Sequence, residues 1–312
     1  MTTHQLASRV DASSTGMDKP EQGLSGLGTA FNARRQAFRA LHERGCFVIP
    51  NPWDVGSARY LQHLGFAALA TTSAGFAFSQ GLPDSDVAVD RDRSLANIAD
   101  IATAVDVPVN ADFSSGYGME PSDVADSVTR CVATGVAGLS IEDATGERAT
   151  PLYELSLAVE RVQAAREAID RSGSGVLLTA RAECYHVGHP DAFRESVRRL
   201  QAYAQAGADV LFAPGPQESE EIKALVEAVH PKPFNLLVVS DIGLRVPEIA
   251  ALGVRRISVG GALALAGWTA FMRAAQTLKA NGSFSGLVDL APYAKINEFL
   301  KADLRAREAR EF

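Results

Sequence analysis

Apolar residues along the chain recur in two alternating rhythms. Short runs rich in Val, Ile, Leu and Ala fall at 46–51, 67–73, 107–113, 137–143, 176–183, 209–214, 234–240 and 256–260, and read as strands. Between them, apolar positions three or four apart read as helices with recognisable ends. Pro121-Ser122-Asp123 opens one that closes at Gly135, and the helix over 154–172 closes at Gly173. Three more end in a small residue and glycine before the next strand: His63-Leu64-Gly65, Gln205-Ala206-Gly207 and Ala251-Leu252-Gly253.

Strand ends repeat every ~30 residues, the length of a βα unit. Eight such units with no break in composition predict an α/β fold, a single (β/α)8 TIM barrel over 29–312, rather than a doubly wound sheet with a second domain. A helix over 31–44 would cap the barrel bottom. Helices over 263–280 and 290–308 exceed what the barrel needs, and serve either contacts in a homo-oligomer or packing on the same barrel. Residues 1–28, rich in Ser, Thr, Gly and Asp, read as a flexible N-terminal tail without the apolar core of a signal peptide.

Charge and composition narrow the function classes. A net charge of -7 with no Lys/Arg-rich block gives no nucleic-acid footprint. No apolar run reaches the ~20 residues that span a bilayer, so no membrane partner is expected. Three cysteines, Cys46, Cys131 and Cys184, are odd in number and far apart, which suits a reducing cytoplasm. The expected partner is a small molecule.

In a barrel enzyme the site lies at the C-terminal ends of the strands, so the polar residues there are the candidates. Asp84, Asp112 and Glu142 offer hard oxygen ligands for Mg²⁺, with Mn²⁺ as a substitute; each could instead cap a helix or meet a basic residue. Arg181 follows the buried run Val-Leu-Leu-Thr-Ala and needs an anionic partner, either a substrate carboxylate or phosphonate or an internal acid such as Glu142 or Glu183. Alternation puts Glu183 on the face of Arg181 and turns Cys184 away, as a packing thiol. Ser73-Ala74-Gly75 forms either an anion nest or a plain turn, and Asn235 of strand seven is also among the substrate-binding candidates. His186 and His189 share a Gly/Pro loop and read as surface or lid residues.

Taken together, NPWDVGSARYLQHLGFAALATTSAG, GLPDSD, VNADFSSGYG, GLSIEDAT and LLTARAE resemble the isocitrate lyase/phosphoenolpyruvate mutase superfamily over about 47–266. The resemblance implies a barrel that exchanges its last helix with a neighbour to give dimers or tetramers. It also implies a Mg²⁺ that binds a 2-oxo acid or its enolate. Asp84, Asp112 and Glu142 match metal-shell acids, Arg181 matches the substrate-binding arginine, and Ser73, Ala74 and Gly75 match the anion-holding loop. The implied reaction is carbon–carbon cleavage of a small 2-oxo or 2-hydroxy di- or tricarboxylate. Phosphorus–carbon chemistry, as mutase or hydrolase, and a non-catalytic binding homologue are the alternatives.

Two departures separate this chain from the family pattern. Ser114 stands where a second acid is usual, which predicts weaker metal binding. The segment Ala144 to Thr150 replaces the Lys-x-Cys-Gly-His segment of the lyases and the Lys/Asn gating loop of the mutases. Proton transfer then falls to Glu183 first, with Tyr117, Glu147 or the His186 loop as the other candidates.

Overall fold

The computed structural model describes residues 21–309. Eight parallel strands lie in the order β1-β8-β7-β6-β5-β4-β3-β2: β1 (Phe47–Ile49), β2 (Leu69–Ala70), β3 (Val109–Asp112), β4 (Gly138–Glu142), β5 (Leu177–Arg181), β6 (Val210–Phe212), β7 (Phe234–Leu237) and β8 (Arg256–Ser258). Each falls inside its predicted run and is shorter, because the last polar residues of each run leave the ladder for the loops. The seam between β1 and β2 is bridged just past β1, where Ala70 N–H donates to Pro50 O at 3.1 Å. Asn51 reinforces it. Its Nδ2 donates to Thr71 O, while its Oδ1 accepts from the N–H groups of Val259 and Gly260, each at 2.9 Å. One buried amide thus ties the ends of β1, β2 and β8 into a nearly closed (β/α)8 barrel.

The outward faces of the strands supply most of the core. Leu69, Ala111, Leu139, Leu178, Leu211 and Leu236 are fully buried under the helical layer, each leucine contributing roughly 2 kcal/mol from burial. The inward faces are smaller and more polar. The bottom is plugged by Phe38 of α1 (Glu21–Glu43), which packs in a cluster with Ile49, Ala70 and Leu177. A Cβ on Gly138 would lie 2.6 Å from the Phe38 ring, so the plug needs glycine there. Helix α1 begins well before the predicted residue 31 and takes in the end of the expected tail; residues 1–20 of that tail lie outside the described residues.

Further round the barrel come α2 (Val55–His63), α3 (Ser73–Ser79), α4 (Arg91–Ala104), α5 (Pro121–Ala133), α6 (Leu155–Ser172), α7 (Ala192–Gln205), α8 (Ser219–Val229) and the short α9 (Val246–Ala251). Two longer helices follow, α10 (Ala262–Asn281) and α11 (Tyr293–Glu308), the second starting at the residue after Pro292 rather than at 290. Among the described residues they are sparsely buried. Ala264 is the one buried residue of α10 and α11 has none, while Phe271 and Tyr293 are 61% and 83% exposed. Helix α11 touches the barrel through an Arg59–Asp303 ion pair at 3.0 Å and the edge of Phe299 against Tyr60.

Candidate active site

Strand β3 delivers Asp112 to the mouth of the barrel, and its neighbours fix it there. The Asp112 N–H donates to Thr71 Oγ1 and its Oδ2 accepts from the Ser73 N–H, both at 2.9 Å. The chain then turns sharply, with positive φ at Ser114 (46°), Gly116 (85°) and Tyr117 (53°). Such a loop needs outside support, and Arg161 of α6 supplies it. Its guanidinium donates to the carbonyls of Ser115, Gly118 and, at 2.6 Å, Met119, and it stacks over the Tyr153 ring. The positive charge is spent on backbone, so the loop is held without using a rim acid.

Across the mouth, β4 and β5 place Glu142 and Arg181 side by side in register. Arg181 Nη1 lies 3.1 Å from Glu142 Oε2 and 3.8 Å from Asp112 Oδ1, and its Nε meets Glu183 Oε1 directly. Burial works against the charge of Arg181, but Glu183, Glu142 and Asp112 together raise its pKa above the ordinary value. The acids respond in the opposite sense. Burial lifts Glu142 well above the usual carboxylate range against the pull of Arg181, helped by the charges of Glu183 and Asp112. Glu183, 1% exposed, is raised by burial despite its contact with Arg181. One fixed cation faces more carboxylate than it can balance.

These groups line an open cavity of about 760 Å³, which also reaches Ser73, Asp84, Asp86, Ser114, Glu147 and His186. Asp84 accepts a side-chain hydrogen bond from Ser73, and burial followed by the charge of Asp112 holds its carboxyl above the usual range. Among the described residues, no three His, Cys, Asp or Glu converge tightly enough to cage a metal by themselves. Mg²⁺ characteristically takes one or two carboxylates, with water completing the shell. Two facing carboxylates that repel one another, beside serine hydroxyls in an acid-rich cavity, fit a hard divalent cation.

The structure brings most of the predicted residues together. Ser73, Ala74, Asp84, Asp112, Glu142, Arg181, Glu183 and Asn235 all line the cavity. Two do not. Tyr117 packs its ring against Phe113 at 5.1 Å and hydrogen-bonds Ser94 and Ser114, and burial pushes its hydroxyl up to about 12, so it is a prop for the loop rather than a proton carrier. Gly75 lies in the first turn of α3, behind the cavity wall, where its N–H donates to Thr72 Oγ1 at 3.2 Å. A Cβ there would lie 2.7 Å from the Thr72 methyl, so this glycine serves packing. With the Ser73 N–H given to Asp112, the expected anion nest is largely satisfied from within.

Asp143, next to Glu142, points the other way, into a buried cluster where it accepts from Arg199 at 3.0 Å, Tyr203 at 2.5 Å and the Glu183 N–H at 2.8 Å. It positions the backbone of Glu183 and takes no part in the cavity. Cys184 is fully buried and burial raises its thiol to about 11, as expected for a packing residue. Sequence reasoning passed over Asp86, which lines the cavity and accepts from Ser115, and Arg256, which lies deep in the barrel. Asp86 was discoverable as the second acid of the Asp84-Ser85-Asp86 turn; Arg256 was not, because it opens a strand rather than ending one.

The phosphoenolpyruvate phosphomutase family model matches residues 38–279. An uncharacterised protein of Mycobacterium tuberculosis is 33% identical over 83% of this chain and 94% of its own length. An oxaloacetate decarboxylase of Bradyrhizobium diazoefficiens is 30% identical over 90% of this chain and 94% of its own. Among solved structures, a Burkholderia cenocepacia protein described as a lyase/mutase superposes with a TM-score of 0.83 at 46% identity, covering 87% of this chain and 98% of that one. The match runs through every strand that carries a rim residue, and on that basis the chain belongs to the phosphoenolpyruvate phosphomutase family, within the isocitrate lyase/phosphoenolpyruvate mutase superfamily, as an enzyme of the lyase/mutase type.

Proposed function

We propose that this enzyme is a Mg²⁺-dependent carbon–carbon lyase acting on a small 2-oxo or 2-hydroxy dicarboxylate through a pyruvate-like enolate. The observation that carries the reading is the rim itself, where Asp84, Asp112 and Glu142 face Arg181 inside one cavity. Asp84 and Asp112 would hold the cation, with Mn²⁺ as a substitute. When bound, it supplies Lewis-acid stabilisation of the developing enolate oxygen. Arg181 orients the carboxylate of the substrate and adds its own charge to the same end. With oxaloacetate as the example, the C3–C4 bond breaks and carbon dioxide leaves, the electron pair of that bond forms the C2–C3 double bond as the carbonyl pair moves onto oxygen, and a proton is then added at C3. Glu183, buried and raised toward the protonated form, is the group placed to hold and return that proton.

The short loop Ala144 to Thr150 favours carbon chemistry over a mutase reaction, since it carries no lysine to manage a phosphoryl group. Likeness to an oxaloacetate decarboxylase makes oxaloacetate the first substrate to try. The exposed apolar side chains of α10 and α11 support a homodimer or homotetramer. Among the described residues no helix is long and apolar enough to cross a membrane, and three unpaired cysteines support a reducing cytoplasm.

The test is pyruvate release from oxaloacetate and other C4 to C6 acids, with Mg²⁺ and with EDTA. Metal-dependent release from a carbon acid is the expected result. Turnover of phosphonopyruvate alone would replace this reading by phosphorus–carbon chemistry, and ligand-dependent stabilisation without any turnover would make the protein a binding homologue.

A further inference from the structure

Arg256 opens β8 in the interior of the barrel and is 3% exposed, yet it lines the same cavity as the rim acids. Its Nε donates to Asn235 Oδ1 at 2.7 Å and its Nη2 to Thr179 Oγ1 at 3.1 Å, both neutral acceptors. Its Nη1 has no hydrogen-bond partner among the described residues. No acid comes near enough to offset burial, which pulls the guanidinium down to about 9. A buried, hydrogen-bonded cation without a counter-ion is costly, and an anion entering the cavity removes that cost.

The contrast with Arg181 sharpens the point. Arg181 is already balanced by Glu142, Glu183 and Asp112. Arg256, 3% exposed, carries a buried positive charge at the cavity wall that no carboxylate meets. The wall around it is polar and small: Ser140, Asn235 and Ser258 line the floor with Ala70, which leaves room for a ligand group. Asn235 Nδ2 donates to Ser258 Oγ at 2.9 Å, so the serine's own O–H stays free to donate to a ligand.

We propose that the floor of the barrel is a second carboxylate subsite, in which Arg256, held by Asn235 and Thr179 and assisted by Ser258, binds the distal carboxylate of the substrate. The substrate then lies along the barrel axis, its reacting end at the rim and its far end below. This rests on the proposed lyase reading for the rim end only. The floor subsite demands a dianionic substrate and selects against monocarboxylates of equal length.

The test is calorimetric binding, with Mg²⁺ present, of 2-oxo dicarboxylates from four to six carbons against 2-oxo monocarboxylates of matched length. Oxalate, too short to reach the floor, serves as the rim probe. In wild type, the dicarboxylate of fitting length binds about tenfold or more tightly than its partner. Arg256→Met brings that ratio close to one and leaves oxalate affinity unchanged; Arg256→Lys restores part of it, and Ser258→Ala lowers it a few-fold. Thermal melts confirm that each variant is folded, and Ser258→Ala reads the subsite should Arg256→Met fail to fold. A wild-type ratio near one, or a ratio unchanged in Arg256→Met, overturns the subsite. Loss of oxalate binding in wild type, with the dicarboxylate preference intact, overturns the rim reading and keeps the floor.

Discussion

The rim and the floor of the barrel each hold a buried arginine, and the two are opposites. At the rim, Arg181 stands among Glu142, Glu183 and Asp112, and burial, followed by the charge of neighbouring carboxylates, lifts Glu142, Glu183 and Asp84 toward their neutral forms. On the floor, Arg256 meets only amide and hydroxyl oxygen. The rim carries clustered negative charge that a cation would offset, and the floor a buried positive charge that an anion would offset. A dianionic substrate accompanied by a divalent metal answers both at once. The difference shows that two buried arginines in one cavity offer different things: Arg181 works inside a shell of acids that a cation relieves, and Arg256 faces a ligand with no acid beside it.

Substitutions at the rim give the largest expected effect. Arg181→Met removes the charge that stabilises the enolate end and should lower kcat/KM by about 1,000-fold. It should leave the dicarboxylate preference set by the floor largely intact in binding experiments. Loss of rate and loss of that preference together would mean that rim and floor are one site. A smaller and opposite change is expected at Ser114, which lines the cavity with φ 46°. Asp tolerates that backbone region, and Ser114→Asp restores a carboxylate beside Asp112, so Mg²⁺ affinity should rise about tenfold by calorimetry. Unchanged affinity would place the metal away from the β3 loop.

Much of the rim was readable from the chain because barrel geometry converts strand ends into a list of candidates. Asp112, Glu142 and Arg181 lie at strand ends with little ambiguity, and alternation correctly put Glu183 inside and Cys184 out. Tyr117 entered only as one of several proton-transfer candidates, and three positive φ angles from Ser114 to Tyr117 leave no alternation from which its direction could be read. Gly75 entered as part of an anion nest, and its role lies instead in the close contact with Thr72 and Trp53. Arg256 escaped notice for a different reason. Beside Arg255 it looks like half of a surface charge pair, and nothing local says that Ala70 and Ser140, on strands distant in sequence, leave a hollow beside it and Ser258. Cavities are made by what several strands lack, and a one-dimensional pattern records only what each one has.

The central claim, a divalent metal held at Asp112 with an enolate-like ligand beside it, is tested most directly by thermal shift with oxalate in wild type and Asp112→Ala, each with and without Mg²⁺. The account predicts that oxalate raises the wild-type Tm by about 4 °C or more at saturation only when Mg²⁺ is present, and that Asp112→Ala abolishes the shift while remaining folded. An oxalate shift of equal size without the metal, or one that survives in Asp112→Ala, would contradict it.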